Sequence, residues 1–200
     1  MEQETITRIL FALPFYAVVL YGGYHRHKAH QQNDRFARMK NEGPVTFLLL
    51  RIFGGILWVN CLLFPLAPGL FASVRMELPS AATWTGYALA LLSLPMGYSV
   101  FRSLGRNITD TVQTRAEHEL VTHGIYRFIR HPLYTTGFLL FFGLGLFAGL
   151  LPVLLLSLFV LGTLYIRTFT EERFLVAQFG DRYREYSERT GKFLPKLNHL

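Results

Sequence analysis

Arginine, histidine, proline and tyrosine stand together immediately before an apolar run in the second half of the chain. The letters RHPLY place Arg130, His131 and Tyr134 directly ahead of the residues TTGFLLFFGLG. Pro132 lacks a backbone N–H and favours the first turn of a helix, so His131 should lie just outside that helix. A cation, an imidazole and a phenol can bind carboxylates, hydroxyls and rings. The alternative is an interfacial collar, because such residues often flank membrane spans.

A second polar cluster consists of Arg167, Glu171 and Glu172. Arg167 and Glu171 are four residues apart, so they share one face of a helix. An ion pair within that helix would explain both residues without any ligand. A cation beside two carboxylates could equally bind a charged cofactor or substrate.

The apolar block 134–166 separates the two clusters and determines whether they meet. At a rise of about 1.5 Å per residue, the block is too long for one membrane crossing and just long enough for a tight helical hairpin. A glycine and a proline interrupt it, which predicts a turn at Phe147–Pro152. Antiparallel legs of similar length would return Arg167 beside His131 and Tyr134. The sequence therefore predicts one pocket built from both clusters.

The composition is that of a membrane protein. Of the 200 residues, 51% are hydrophobic and only 16% are charged, which is too apolar for an ordinary soluble domain of this length. We therefore predict an all-α, multi-pass transmembrane helical protein with about five spans and a cytoplasmic C-terminal helix. The predicted spans lie near 5–23, 45–70 and 82–101, followed by the two legs of the hairpin 134–166.

The distribution of basic residues predicts the orientation. The net charge is +7, and Lys and Arg are concentrated in the segments 24–44 and 102–133 and after Arg167. The segment 71–81 carries Arg75 alone and the hairpin turn carries no basic residue. By the positive-inside rule the N-terminus lies outside and the C-terminus in the cytoplasm. The basic residues are thus explained by topology and lipid contact, and no motif indicates nucleic-acid binding.

The segment after the hairpin is predicted to form an amphipathic helix on the cytoplasmic membrane face. Phe174, Leu175, Gln178 and Phe179 recur at helical spacing, and Gly180–Asp181 is expected to divide the helix into two pieces.

Two further patterns favour structural roles. Glycines at 143, 145 and 149 resemble a dinucleotide loop, but they lie in a segment at lipid depth and favour close helix packing. His25, His27 and His30 have no cysteines or carboxylates at a matching spacing, so we predict no metal site.

Taken in order, the motifs resemble a known family. The run HELVTHGIYRFIRHPLY (118–134), the hairpin, and RTFTEERFLVAQFGDRYREYSERTGKFLP (167–195) resemble the isoprenylcysteine carboxyl methyltransferases and the related phospholipid methyltransferases. The resemblance covers roughly 80 residues, and the first hundred match only as a hydrophobic pattern. It implies a single membrane domain over 1–200, with three spans in 1–101 and a cofactor-binding half in 102–200.

The resemblance also implies a cofactor and its contacts. The methyl donor would be S-adenosylmethionine, held in a cytoplasmic pocket, with catalytic roles for Arg167 and Glu171 and with Arg167 facing the methyl acceptor. The residues implied to line the cofactor site are Gln113, His118, Glu119, Leu120, Val121, Tyr126, His131, Pro132, Leu133, Tyr134 and Glu171.

We therefore expect methyl transfer to a lipophilic or prenylated acceptor in contact with membrane lipids, with an isoprenylcysteine carboxylate as the leading candidate. A carboxylate is already a nucleophile at neutral pH, whereas an ammonium headgroup or a thiol must first lose a proton. Phospholipid N-methylation and thiol S-methylation remain alternatives within the same chemistry. Outside it, the alternatives are an NADPH-dependent enzyme resembling sterol reductases and a non-enzymatic transporter or membrane scaffold.

Overall fold

A computed structural model of the chain describes residues 2–29, 44–104 and 120–196. Within these ranges the regular structure is helical, and the extended backbone is limited to two isolated bridges, Arg75 with Leu150 and Ile129 with Gly191. The α-helices are α1 (Glu2–Ala29), α2 (Pro44–Leu66), α3 (Ser80–Leu104), α4 (Pro132–Ala148), α5 (Leu151–Phe179) and α6 (Asp181–Arg189); short 3₁₀ helices occupy Pro68–Val74 and Gly124–Arg127.

Five helices occupy the positions of the five predicted spans. Three of the described helices are long and apolar enough to cross a membrane, namely Glu2–His25 within α1, Pro44–Leu66 and Leu151–Phe179. Helix α4 is apolar but has only 17 residues. Helix α3 carries several serines and threonines among its apolar residues and is not among these three helices. The all-α fold agrees with the prediction.

The predicted hairpin is confirmed. Helix α4 ends at Gly149, which has φ = +66°, and the Leu150 N–H donates to the Gly145 carbonyl at 2.8 Å. Glycine adopts this left-handed conformation without a steric penalty. The Met76 N–H donates to the Gly149 carbonyl at 2.7 Å, so the segment before α3 docks on the turn.

Helices α3 and α4 pack with their backbones in contact. A Cβ atom at Gly143 would lie 2.6 Å from the Gly86 carbonyl oxygen and 2.7 Å from the Ala90 nitrogen. A Cβ atom at Gly86 would lie 2.6 Å from the Gly143 carbonyl oxygen. The interpretation of Gly143 as a packing residue is therefore confirmed, whereas Gly149 forms the hairpin turn. The contact at Gly143 holds α4 in place behind the RHP segment.

Helix α5 is longer than predicted. It has 29 residues and continues to Phe179, so residues 174–179 extend the last span instead of forming a separate helix. The hydrophobicity falls after residue 166, but the sequence RTFTEERFLVAQF contains no helix breaker. The predicted break is present: Gly180 has φ = +55°, and α6 begins at Asp181.

Candidate active site

The hairpin brings the two predicted clusters together at the end opposite its turn. Glu171 on α5 accepts a hydrogen bond from the Tyr134 hydroxyl at 2.5 Å and forms an ion pair with Arg167 Nε at 2.9 Å. His131 Nδ1 lies 3.4 Å from the second oxygen of Glu171. The convergence expected from the hairpin geometry is therefore observed.

Glu172, the next residue on α5, also contacts His131 and adds Arg130 and Lys192 to the cluster. Its Oε1 atom lies 3.1 Å from Arg130 Nε and 3.2 Å from His131 Nε2, and its Oε2 atom lies 3.1 Å from Lys192 Nζ. Both ring nitrogens of His131 thus face carboxylates. The imidazole also stacks on Tyr134, with 5.5 Å between the ring centroids and 6° between the planes.

Residues 190–196, here named the C-terminal strap, run beside the segment that leads into α4. The Arg130 N–H donates to the Gly191 carbonyl at 2.8 Å, and the His131 N–H donates to the Lys192 carbonyl at 3.0 Å. Gly191 cannot carry a side chain without displacing the strap, because a Cβ atom there would lie 2.8 Å from the Leu194 carbonyl carbon. The strap therefore satisfies the backbone donors ahead of Pro132 and delivers Lys192 to Glu172.

The cluster of Arg130, Arg167, Lys192, Glu171 and Glu172 carries an excess of positive charge. Each of these side chains is between 12% and 21% exposed, so water screens the charges only in part. Three permanent cations face two carboxylates, which leaves the cluster with a net charge of at least +1. Charges removed from water need partners, and among the described residues two carboxylates face these three cations.

His131 adds to that charge when it is protonated. Burial alone would lower its pKa, but the hydrogen bonds and attraction from Glu171 and Glu172 outweigh burial and raise the pKa above its ordinary value of 6.5. The protonated form is therefore favoured by both carboxylates.

A cavity of about 390 Å³ lies on the other side of Arg130, between α6 and the segment before α4. This volume is within the usual range for small-molecule sites. Its lining residues are Leu120, Thr122, Arg127, Arg182, Glu185, Tyr186, Arg189 and Thr190. Arg130 connects the cavity to the cluster, because its Nη1 atom donates to the Thr190 carbonyl at 2.5 Å.

Tyr183 carries a buried hydroxyl on α6 and is not among the residues that line the cavity. Its side chain is on the buried face of the helix, and its hydroxyl has no hydrogen-bond partner in the part of the chain that the structure describes. A buried polar atom without a partner is costly.

The family model described as phospholipid methyltransferase matches residues 81–182. This match covers half of the chain, from α3 through the hairpin to the start of α6. The chain belongs to the phospholipid methyltransferase family.

The curated relatives of this family member include proteins named as isoprenylcysteine methyltransferases and proteins named for metal resistance. The protein-S-isoprenylcysteine O-methyltransferase of Schizosaccharomyces pombe is 38% identical over 82 residues, which are 40% of this chain and 35% of the relative. The cobalt-zinc-cadmium resistance protein CzcN of Cupriavidus metallidurans is 32% identical over 143 residues, 70% of this chain and 63% of the relative. The chain thus spans about a third to somewhat under two thirds of the length of these relatives.

A solved structure has the same fold. The structure of the eukaryotic intramembrane Ras methyltransferase ICMT superposes with a TM-score of 0.57 at 19% identity, covering 94% of this chain and 67% of that chain. At this identity the match establishes the multi-pass helical fold and leaves the chemistry to be argued from the residues.

In this phospholipid methyltransferase family member, some of the predicted site residues lie in the charged cluster and others lie at the cavity or against α6. His131, Tyr134, Arg167 and Glu171 meet in the cluster. Leu120 lines the cavity, and Tyr126 lies against α6, where its carbonyl accepts a hydrogen bond from the Tyr186 hydroxyl at 2.7 Å.

The remaining predicted residues have no direct contact with the cluster's charges or fall outside the structure. Val121 lies in the segment before the Gly124–Arg127 helix, and Pro132 and Leu133 begin α4. Gln113, His118 and Glu119 lie outside the described residues.

Several polar side chains of the site were not among the predicted site residues. Arg130 and Glu172 belong to the motifs quoted above but were assigned no site role. Lys192 was not predicted because backbone hydrogen bonds between distant segments place it at Glu172. Tyr183 was not predicted because its only signal in the sequence is the spacing of the buried face of a helix.

The histidines considered as metal ligands lie elsewhere. His25 stacks on Phe101 with 5.4 Å between centroids, and the side chains at 27 and 30 are outside the described residues. Among the side chains that the structure describes, no group of three or more His, Cys, Asp or Glu could hold a metal ion.

Proposed function

We propose that this protein transfers a methyl group from S-adenosylmethionine to a lipophilic acceptor at the cytoplasmic face of the membrane, by carboxyl methylation of an isoprenylcysteine-like substrate. The family supports methyl transfer, and the isoprenylcysteine O-methyltransferases among the relatives support this acceptor. The observation that carries the proposal is the positively charged cluster at the open end of the hairpin.

The charge of the cluster favours a carboxylate acceptor. Among the described residues, the three cations Arg130, Arg167 and Lys192 outnumber the two glutamates, which suits an acceptor carboxylate. A positively charged ammonium headgroup would be repelled. In addition, Glu171 and Glu172 are each held by cations, which makes both carboxylates weak bases for removing a proton from an amine or a thiol.

Methylation of a carboxylate needs no general base. S-adenosylmethionine supplies an electrophilic methyl group on a sulfonium. A lone pair of the acceptor oxygen forms the new C–O bond, the electrons of the S–C bond remain on sulfur, and no proton is released. The contribution of the protein would be to orient the carboxylate through Arg167 and to exclude water from the reacting atoms.

The residues around the cavity fit the cofactor. Arg127 and Arg189 suit its carboxylate, Glu185 suits its ammonium group, and the Tyr186 hydroxyl suits ribose or adenine. Leu120, which the resemblance assigns to the cofactor, is part of this lining.

The cluster itself suggests a positioning role for His131. Because both of its ring nitrogens face Glu171 and Glu172, we propose that it orients these carboxylates and, through Glu171, Arg167. The resemblance places His131 and Glu171 at the cofactor, and disturbing either should weaken cofactor binding.

Phospholipid N-methylation is the second candidate, favoured by the description of the matching family. It needs a base for the headgroup amine, and the charge of the cluster opposes a cationic acceptor. Methyl transfer to phosphatidylethanolamine in preference to a prenylated cysteine would favour it.

Calorimetry on the detergent-purified protein tests the cofactor. We expect saturable binding of S-adenosylhomocysteine by the wild type and its loss in His131→Ala and Glu171→Gln. His123→Ala and Glu77→Gln are matched controls, because both side chains are exposed and Glu77 lies near the hairpin turn at the opposite end; both should bind normally. The absence of binding by folded wild-type protein, with lipid added back, would contradict the proposal, and binding of NADPH instead would favour the reductase alternative.

A further inference from the structure

Lys192 reaches the cluster from the end of the run 167–195, and the family resemblance gives this residue no site role. Its Nζ atom lies 3.1 Å from Glu172 Oε2 and 3.2 Å from the Thr168 hydroxyl oxygen. These contacts use two of the three N–H donors that an ammonium carries. The side chain is 21% exposed, and its third N–H donor could serve a ligand.

Lys192 lies at the depth where the end of a membrane span meets water. At about 1.5 Å per residue, Glu172 is about 32 Å along α5 from Leu151, and Tyr165 is about 21 Å along it. The hydrocarbon core of a bilayer is about 30 Å thick. For a helix near the membrane normal, Lys192 therefore lies at headgroup depth, and Tyr165 lies beside the acyl chains.

Exposed aromatic rings line the path from Lys192 towards the bilayer. Tyr165 is 48% exposed and Phe169 is 46% exposed. Lys192 Nζ lies 4.5 Å from the centroid of the Phe169 ring and 5.6 Å from that of Tyr165. Phe193, the next residue on the strap, lies between Tyr165 and His131, with centroid distances of 6.2 Å and 6.0 Å.

This surface matches an amphiphile with an anionic head. An apolar tail could lie along Tyr165 and Phe169 while its head meets the ammonium of Lys192. Among the described residues of the cluster, three cations face two carboxylates. A cation at the end of an apolar face favours an anionic head over a neutral or cationic one.

We propose that Lys192 is a specificity-determining residue that binds the carboxylate of the lipophilic acceptor, and that Tyr165 and Phe169 flank the part of its tail nearest the head. This inference rests on the proposed methyl transfer and adds the residue that selects an anionic acceptor. Lys192 would act together with Arg167, which lies on the adjacent face of α5.

Steady-state methyl transfer to N-acetyl-S-farnesylcysteine in mixed micelles tests the proposal. In Lys192→Gln, we expect KM for this acceptor to rise about tenfold, the size of a lost charge-assisted contact, with kcat little changed. Lys192→Arg should retain a KM close to that of the wild type. Lys196→Gln is the matched control, because this exposed lysine of the same strap donates only to the carbonyls of Ser187 and Glu188 in the described structure.

A binding comparison on the wild-type protein gives a second measurement that does not depend on a variant folding. With S-adenosylhomocysteine in place of the methyl donor, the carboxamide analogue of the same prenylated cysteine should bind about tenfold more weakly than the carboxylate, and Lys192→Gln should lose this preference. Equal binding of the two compounds by the wild type, an unchanged KM in Lys192→Gln, or an equal rise in Lys196→Gln would overturn the role of Lys192.

The two proposals fail in distinguishable ways. If the wild type binds no S-adenosylhomocysteine and methylates no acceptor, the proposed function itself is wrong. If the wild type methylates the prenylated cysteine and Lys192→Gln does so with the same KM, the function stands and only the role of Lys192 is wrong. Retained S-adenosylhomocysteine binding by Lys192→Gln shows that its cofactor site is intact.

Discussion

His131 holds a carboxylate on each of its two ring nitrogens, and this arrangement should make stability depend on pH. Glu171 and Glu172 raise its pKa above the ordinary value of 6.5 in spite of burial. The protonated imidazole therefore stabilises the fold fully below about pH 6.5. That contribution is lost as the pH rises through the higher pKa of the folded state.

We predict that His131→Gln lowers the free energy of unfolding by about 1.5–3 kcal/mol at pH 6, the range for hydrogen bonds to charged groups, and by less at pH 9. Thermal unfolding in detergent at several pH values from 6 to 9 gives the Tm of the variant and of the wild type. The difference between the two Tm values removes the effect of groups that titrate in the same way in both proteins. The exposed His123→Gln should give a small difference at every pH. A constant difference for His131→Gln would argue against a pKa raised by the two glutamates.

At the scale of helices, the contact between α3 and α4 positions the site. The Cβ of an alanine at 143 would meet backbone atoms of α3 at 2.6 and 2.7 Å, and backbone cannot rotate away as a side chain can. We predict that Gly143→Ala lowers the free energy of unfolding by about 1–3 kcal/mol if the two helices can shift apart, which is the range typical of overpacking. The loss should be larger if they cannot. Gly137→Ala on the same helix has nothing within 4 Å and should be neutral or slightly stabilising. Similar Tm values for the two variants in detergent would contradict the close packing.

The same helices explain how much of the site could be predicted from the sequence. Gly149 and Pro152 interrupt an apolar block, so the hairpin and the meeting of His131 with Glu171 followed from spacing alone. The continuation of α5 to Phe179 was missed because a helix does not have to end where its hydrophobicity ends. Lys192 was missed because it is positioned by backbone hydrogen bonds between segments about 60 residues apart, which leave no periodic signal.

For the whole molecule, the remaining question is which face of the membrane carries the site. The hairpin turn and the charged cluster lie at opposite ends of α5, so one accessible residue near each end reports the orientation. The basic segments predict that the turn faces outward and the cluster faces the cytoplasm. This orientation would let a polar methyl donor reach the cavity from the cytoplasm while a lipid-tailed acceptor enters from the bilayer.

We predict that, in a Cys61→Ser background, an impermeant maleimide labels Glu77→Cys on intact cells and labels Glu188→Cys only after permeabilisation. Cys61 is buried and is the one cysteine of the sequence, whereas positions 77 and 188 are exposed. The background protein alone should remain unlabelled, which controls for reaction at other sites. The reverse pattern would place the three-cation cluster outside, where a donor made in the cytoplasm could not reach it, and would contradict the orientation and the proposed reaction together.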